Sequence, residues 1–232
     1  MRKIKQKQLN FMDWEFGVFF HFGIRTFYEG HTDWDMKVMP LENFLPAGLD
    51  CEQWIRTIKA AGAKYAIFVC KHHDGFAKWP SKYTDYSVAN TSWKEGKGDI
   101  VRDYVDACLK YGLKVGLYYS PAQFGSDKMN ADEYDDYFIN QVSELLMNYG
   151  KIVVISVIIL VGGTEEETRI MADLVSFCAA ELNASERCVV EGMSCGGIQG
   201  ARLVQMYPEL VNVRLSLEPI LMKRGVVLGR MR

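Results

Sequence analysis

The sequence has 232 residues, of which 49% are hydrophobic and 24% are charged, and these proportions are typical of a globular protein. A net charge of −2 without a basic stripe excludes nucleic acid as the expected partner. No apolar run reaches the roughly 18 residues that a membrane span requires. The six cysteines show no metal-ligand spacing, so the sequence predicts reduced thiols, no metal and no cofactor.

The N-terminal segment, residues 1–10, is basic and polar, and neither an apolar segment nor a small-residue cleavage site follows it. We therefore expect no secretion signal and a cytoplasmic location. Aromatic residues are unevenly distributed, because 27 of the 29 lie at or before Tyr149. All four histidines lie in the same part of the chain. The composition thus changes near residue 150.

Four predicted strands alternate with three predicted helices in the aromatic-rich part. The strands are expected at residues 16–23, 65–70, 114–120 and 152–160. Asp50 and Asp99 are the predicted N-caps of the first two helices, which end at Gly62 and Gly112, and the third helix is expected to stop at Gly150. Beyond residue 160 the pattern is weaker and predicts a helix at 165–182 and strands at 188–191 and 210–217.

This alternation of strands and helices predicts an α/β fold. Right-handed connections coil such a run into a parallel sheet or a barrel. The (β/α)8 TIM barrel is the best interpretation, although 232 residues fall short of the roughly 250 that are typical of it. We therefore expect a barrel of the TIM type that is incomplete in this chain.

Polar and aromatic side chains come at the predicted carboxyl ends of three strands. They are His21 after the first strand, His72 and His73 after the second, and Tyr118, Tyr119 and Ser120 after the third. Ligands bind at this edge of folds built from parallel strands, so we expect one shared site. The imidazoles and hydroxyls would bind the hydroxyl groups of a sugar, and its CH groups would rest on three candidate platforms, Trp34, Trp79 and Tyr119.

Other interpretations of these residues stay open. Cys70 and His72 have the i, i+2 spacing that allows a nucleophile and its base to share a strand face. Three histidines are enough to bind a metal in a barrel, although no spaced histidine and carboxylate motif is present. Asp74 is either an acid or the residue that forms the turn before Gly75.

A series of short motifs follows in order along the chain. They are Phe20-His-Phe-Gly23, Asp33-Trp34, Asp50-Cys-Glu-Gln-Trp54, Ala61-Gly-Ala-Lys-Tyr65, Lys71-His-His-Asp-Gly-Phe76, Trp79-Pro-Ser-Lys-Tyr-Thr-Asp85, Lys97-Gly-Asp99 and Gly116-Leu-Tyr-Tyr-Ser120. Across about residues 11–152 they resemble the α-L-fucosidases of glycoside hydrolase family 29. The resemblance implies a retaining exo-glycosidase with a (β/α)8 domain that releases terminal α-L-fucose from glycans.

The resemblance also implies roles for individual residues. The four residues that would hold the fucose hydroxyls are His21, His72, His73 and Tyr119. Asp33 and Trp34 stand where the family usually has Glu-Trp, so this carboxylate is shorter by one methylene group. The implied partner is a small-molecule or glycan fucoside, with no nucleic acid and no membrane, and the oligomeric state is left open.

The family's nucleophile is missing from its expected place. The family has an aspartate in a Trp-x-Asp-Gly motif at the end of the fourth strand, whereas this chain has Leu160-Val161-Gly162 there. No aspartate occurs between Asp136 and Asp173, and no catalytic residue is assigned. We therefore predict that residues 1–152 form the N-terminal half of a glycosidase barrel, and that 153–232 are a diverged, truncated or frame-disrupted remainder. The alternative function is a non-catalytic fucose-binding or vestigial barrel fragment.

Overall fold

The structure is a computed structural model. It describes residues 10–11, 13–30, 37–121, 129, 131–157, 168–169, 172–173, 175–176, 188–190, 205–207, 209 and 211–214. The chain forms two compact units, one of Gln6–Ile158 and the other of Met1–Lys5 with Ile159–Arg232. The predicted division at residue 152 stays a prediction, because compactness does not test which residues derive from the family.

The larger unit holds a four-stranded parallel sheet in the order β1-β2-β3-β4. The strands are β1 (Gly17–Phe20), β2 (Tyr65–Lys71), β3 (Lys114–Tyr119) and β4 (Val154–Val157). The helices between them are α1 (Cys51–Ala60), α2 (Ile100–Tyr111) and α3 (Ala131–Asn148). The predicted α/β class with a parallel sheet is therefore confirmed. The first strand is shorter than expected, because it ends at Phe20 and leaves His21 in the following turn.

The helices α1 and α2 begin after the predicted N-caps, and α2 ends at the predicted glycine, whereas α1 ends at Ala60, before Gly62. The Asp50 carboxylate accepts a hydrogen bond of 2.8 Å from the Gln53 amide, and the Asp99 carboxylate accepts one of 2.8 Å from the Arg102 amide. These bonds satisfy amides that have no partner inside the first turn of a helix. Gly112 ends α2 with a φ of 67°, a left-handed conformation that glycine adopts at little cost.

Three ring contacts show how the helices cover one face of the sheet. Phe20 of β1 stacks on Trp54 of α1, with 5.4 Å between ring centroids. The other two are Phe68 of β2 against Tyr104 of α2 at 5.2 Å and Tyr119 of β3 against Phe138 of α3 at 5.4 Å. The core of the unit therefore lies between the sheet and α1, α2 and α3.

The opposite face of the sheet carries different side chains. Successive residues of a strand point to opposite sides, so Phe19 and Tyr118 lie on the face that these helices do not cover. Their ring centroids are 5.4 Å apart, and Phe19 is 47% exposed. This second face continues into the turns at the carboxyl ends of the strands.

The second unit contains two parallel strands, β5 (Cys188–Val190) and β6 (Val211–Arg214), which pair with each other. Both lie within the segments predicted as strands. The described residues of the predicted helix at 165–182 are helical as well. In the described part of the chain, no helix combines the length and the apolar character needed to cross a membrane.

Candidate functional site

Three imidazoles lie together at the carboxyl ends of β1 and β2. The His72 ring centroid is 4.4 Å from that of His21 and 3.8 Å from that of His73. His21 is exposed, His72 is half-buried and His73 is buried, so the cluster extends from the surface into the protein. The structure thus brings together the three histidines that the sequence singled out.

The third strand contributes Tyr118 and the residue that follows it, Ser120. The Tyr118 ring lies 6.3 Å from the His72 ring at an interplanar angle of 29°. The Ser120 hydroxyl oxygen lies 2.6 Å from Nδ1 of His73. The ends of three adjacent parallel strands therefore meet at one site, as expected for an α/β fold.

A bulge and a tight turn at the end of β2 direct both neighbouring imidazoles to this site. The register with β3 shifts between Val69 and Lys71, so one residue of β2 has no partner across the ladder. After His72 the chain turns at once, because the Gly75 amide donates a 3.1 Å bond to the His72 carbonyl. Gly75 has a φ of 82°, which glycine tolerates best.

Asp74 forms this turn rather than facing the histidines. One of its carboxylate oxygens accepts a 3.0 Å hydrogen bond from the Phe76 amide, and the other lies 3.8 Å from Nε of Arg25. Asp74 is 5% exposed and Arg25 is 7% exposed, so the pair is buried. The turn-forming interpretation of Asp74 therefore agrees with its contacts.

Two fully buried lysines lie behind the histidines, and sequence reasoning missed their role. The Lys71 ammonium donates a 2.8 Å hydrogen bond to the Ser120 carbonyl and lies 4.5 Å from the centroid of the Tyr119 ring. The side chain of Lys78 packs against Gly23, where a Cβ would be 3.1 Å from its Cε. Burial lowers the pKa of Lys71 to about 7 and that of Lys78 to about 8. Charge buried in a low dielectric has this effect on lysine.

Burial and the neighbouring groups keep His72 uncharged. Burial is the largest cause that lowers the pKa of His72, to about 2, and the neighbouring imidazoles of His73 and His21 add to it. Lys78 and Arg25 lower this pKa further by charge repulsion. A neutral imidazole has one nitrogen that donates a hydrogen bond and one that accepts. This combination suits a hydroxyl group, which also donates and accepts.

A family model described as Alpha-L-fucosidase matches residues 1–193 of the chain. The chain belongs to the α-L-fucosidase family, glycoside hydrolase family 29. The match extends beyond residue 152, where the motif resemblance was expected to end.

Relatives and solved structures agree with this family. Alpha-L-fucosidase 1 of Arabidopsis thaliana is 37% identical over 145 residues, which cover 61% of this chain and 28% of the plant protein. The crystal structure of a glycoside hydrolase 29 family member from an unknown rumen bacterium is 41% identical, has a TM-score of 0.62, and matches over 68% of this chain and 28% of that one. A putative α-L-fucosidase of Bacteroides thetaiotaomicron is 34% identical with a TM-score of 0.70, over 89% of this chain and 50% of that one. The chain thus spans 28% of the length of its plant relative.

Within this family member, Tyr119 and Trp79 lie inside the core. Tyr119 is fully buried, and its hydroxyl donates a 2.7 Å hydrogen bond to Oε1 of Gln141 in α3. Trp79 is 2% exposed and donates a 2.9 Å bond to Oε2 of Glu144 in the same helix. The structure places Tyr118, not Tyr119, beside the histidines. The predicted contacts of Tyr119 and Trp79 with substrate stay predictions.

Three predicted positions lie outside the described residues. They are Asp33 and Trp34, the predicted substrate contacts after β1, and Val161, near which the family's nucleophile was expected. The binding roles of Asp33 and Trp34 stay predictions.

The carboxylate that follows His73 in the sequence and the one that contacts Trp79 are already engaged. Asp74 binds Arg25 and the turn, as described above. Glu144 accepts the Trp79 indole bond and a 2.9 Å hydrogen bond from the Lys82 amide. Within the described ranges, no group of three or more histidine, cysteine or acidic side chains is arranged to hold a metal ion.

The contacts of Cys70 do not favour a nucleophile. Its thiol is fully buried and lies 3.6 Å from the Phe68 carbonyl. Burial raises the pKa of this thiol far above its ordinary value. A protonated thiol is a poor nucleophile, so Cys70 is a core residue.

Proposed function

We propose that the protein recognises terminal α-L-fucose residues of glycans at the site formed by His21, His72, His73 and Tyr118, as an α-L-fucosidase-like retaining glycoside hydrolase. The observation that carries this proposal is the convergence of three imidazoles and a tyrosine at three adjacent strand ends in a member of the α-L-fucosidase family. The relatives named α-L-fucosidase support fucose as the ligand, and the geometry supports this location of the binding site.

The site offers both kinds of contact that a deoxysugar needs. L-Fucose has hydroxyl groups on part of its ring and a methyl group in place of a hydroxymethyl group. Neutral His72 and its neighbours would exchange hydrogen bonds with the hydroxyls. The exposed ring of Phe19, which contacts the buried ring of Tyr118, would pack against the apolar part of the sugar.

The complete fold that fits this proposal is a (β/α)8 barrel, and β1 to β4 would be its first four strands. Two features support it, namely the β1-β2-β3-β4 order with helices on one face, and the site at the carboxyl ends of the strands. Since the chain spans 28% of the length of its plant relative, the proposed barrel is incomplete in this chain.

Hydrolysis requires carboxyl groups that are not assigned among the residues of this site. A retaining glycosidase needs two carboxyl groups about 5 Å apart, one as nucleophile and one as acid and base. Asp74 and Glu144 are engaged elsewhere, and the sequence has no aspartate between Asp136 and Asp173. This observation favours a second candidate function, namely fucose binding without hydrolysis.

Calorimetry with L-fucose and an assay with an aryl α-L-fucoside test both candidates. We expect saturable binding of L-fucose that is lost in His72→Ala and kept in Tyr111→Phe, a control at an exposed tyrosine bonded to Glu52. Turnover of the aryl fucoside with retention would establish the glycosidase. Binding without turnover would establish the second candidate. Absence of both binding and turnover would contradict the proposal.

A further inference from the structure

Ser120 connects two residues of the candidate site and is itself fully buried. Its hydroxyl oxygen lies 2.6 Å from Nδ1 of His73. A side-chain hydrogen bond between Ser120 and Tyr118 also partly offsets the rise that burial causes in the pKa of Tyr118. The strand pattern placed this serine at the shared site, but it assigned the serine no role towards His73.

The backbone of Ser120 is fixed from both sides by a single residue of β2. The Ser120 amide donates a 3.0 Å hydrogen bond to the Lys71 carbonyl, and the Lys71 ammonium donates a 2.8 Å bond to the Ser120 carbonyl. With its amide and carbonyl both held, the hydroxyl of Ser120 has few directions in which it can point. It is therefore aimed at the His73 ring before any ligand binds.

The charges behind the site decide which of the two groups donates the proton. Lys78 and Arg25 are buried near this site and lower the pKa of the neighbouring His72 by charge repulsion, and Asp74 is the carboxylate beside Arg25. Positive charge nearby favours a lone pair on Nδ1 over an N–H bond there. The serine hydroxyl then donates to Nδ1, and the ring proton is on Nε2.

We propose that Ser120 is a positioning residue that holds His73 in the tautomer protonated at Nε2, so that this imidazole donates a hydrogen bond to a hydroxyl oxygen of the bound sugar. The hydrogen bond to the sugar rests on the proposed function. The tautomer is a property of the ligand-free protein and rests on the geometry of Ser120, Lys71 and His73.

Nitrogen NMR of the imidazole rings tests the tautomer directly. In the ¹⁵N-labelled protein at pH 7.5, with His73 assigned from its loss in His73→Gln, we expect one protonated ring nitrogen, Nε2. In Ser120→Ala the two ring nitrogens should approach a common shift, because both tautomers are then populated. Ser120→Thr, which keeps the hydroxyl, should restore the wild-type spectrum. A proton on Nδ1 in the wild type, or an unchanged His73 spectrum in Ser120→Ala, would overturn the proposal.

Ser143→Ala is the matched control, because this serine also uses its hydroxyl for one hydrogen bond, a 2.7 Å bond to the Ile139 carbonyl within α3. It should leave the His73 spectrum unchanged, and a change as large as in Ser120→Ala would indicate a general packing effect instead. In calorimetry, Ser120→Ala should weaken L-fucose binding about 3- to 10-fold, the effect of one hydrogen bond. If the wild type binds no fucose, the proposed function fails, while the tautomer result still decides the role of Ser120.

Discussion

The two faces of the sheet differ in what their side chains contact, and the adjacent residues Tyr118 and Tyr119 show the difference most clearly. Tyr119 points to the helices, is fully buried, and donates its hydroxyl proton to Gln141. Tyr118 points to the other face, where its ring contacts Phe19 and lies near His72. Two tyrosines in sequence therefore serve different purposes, one in packing and one at the candidate site.

The comparison teaches that chemical type alone does not locate a binding residue in a strand. The face covered by the helices contains aromatic and aliphatic side chains in close contact. The open face carries the imidazoles and Tyr118, with buried lysines behind them. We expect substitutions on the first face to change stability and substitutions on the second to change ligand binding.

The largest effect is expected for Phe68→Ala on the covered face. Phe68 is fully buried against Tyr104 and Trp54, so its removal leaves a cavity and should lower the free energy of unfolding by about 3–5 kcal/mol. The matched control is Phe19→Ala on the open face, which should cost less than about 1 kcal/mol because Phe19 is 47% exposed. Urea denaturation measures both. Equal losses would contradict the difference between the faces.

The buried lysines should make stability rise with pH. Lys71 and Lys78 have an ordinary pKa of 10.5, lowered in the folded protein to about 7 and about 8. Above pH 7 the unfolded chain therefore binds protons that the folded protein has lost, and each lysine adds up to about 1.4 kcal/mol of stability per pH unit. We expect the urea midpoint to increase between pH 7 and 8.5.

Lys71→Met should remove about half of this increase, whereas Lys97→Met, at an exposed lysine, should leave it intact. The lysine effect lasts until their ordinary pKa of 10.5. From about pH 9 it is opposed, because burial raises the pKa of Cys51 and Cys108 from 9.0 to about 12 and the unfolded chain loses those protons first. A urea midpoint that does not change from pH 7 to 8.5 would show that burial does not lower the pKa of the two lysines.

Much of the larger unit could be predicted from its sequence because the signals are local. Asp50 and Asp99 cap helices, Gly112 ends one, and uninterrupted apolar residues mark the strand that became β2. The grouping of His21, His72 and His73 followed from one rule, that the carboxyl ends of parallel strands share an edge. These inferences needed no knowledge of which side chains touch.

The orientation of Tyr118 and Tyr119 could not be predicted, because it depends on the register between strands. The bulge between Val69 and Lys71 changes which residues of β2 and β3 lie opposite each other. No residue type in this part of the sequence indicates a bulge. The buried position of Lys78 was missed for a related reason. A lysine is expected at the surface, and its burial depends on Gly23, which is distant in sequence and leaves room for its stem.

Tyr119→Phe and Tyr118→Phe sharpen the comparison with an identical change at adjacent positions. Tyr119→Phe removes the donor to Gln141 in a buried place and should cost about 1–2 kcal/mol of stability without weakening fucose binding. Tyr118→Phe also removes a buried hydroxyl, which hydrogen-bonds Ser120, and should cost about 1 kcal/mol of stability while weakening fucose binding about 3- to 10-fold. Urea denaturation and calorimetry on both variants measure the two effects. Weaker fucose binding in Tyr119→Phe but not in Tyr118→Phe would indicate that Tyr119, and not Tyr118, belongs to the site.

The smallest effect is expected at the edge of the covered face, where Asp50 caps α1. Asp50→Ala removes the acceptor of the Gln53 amide and should lower the free energy of unfolding by about 1 kcal/mol. Asp99→Ala should cost more, because this carboxylate also accepts a 2.7 Å hydrogen bond from the Tyr149 hydroxyl. Asp106→Ala is the control, since this exposed aspartate lies inside α2 and caps nothing. Fucose binding should be unchanged in all three variants, because the caps hold helices on the face away from the histidines; weaker binding in Asp50→Ala would show that the covered face also shapes the site.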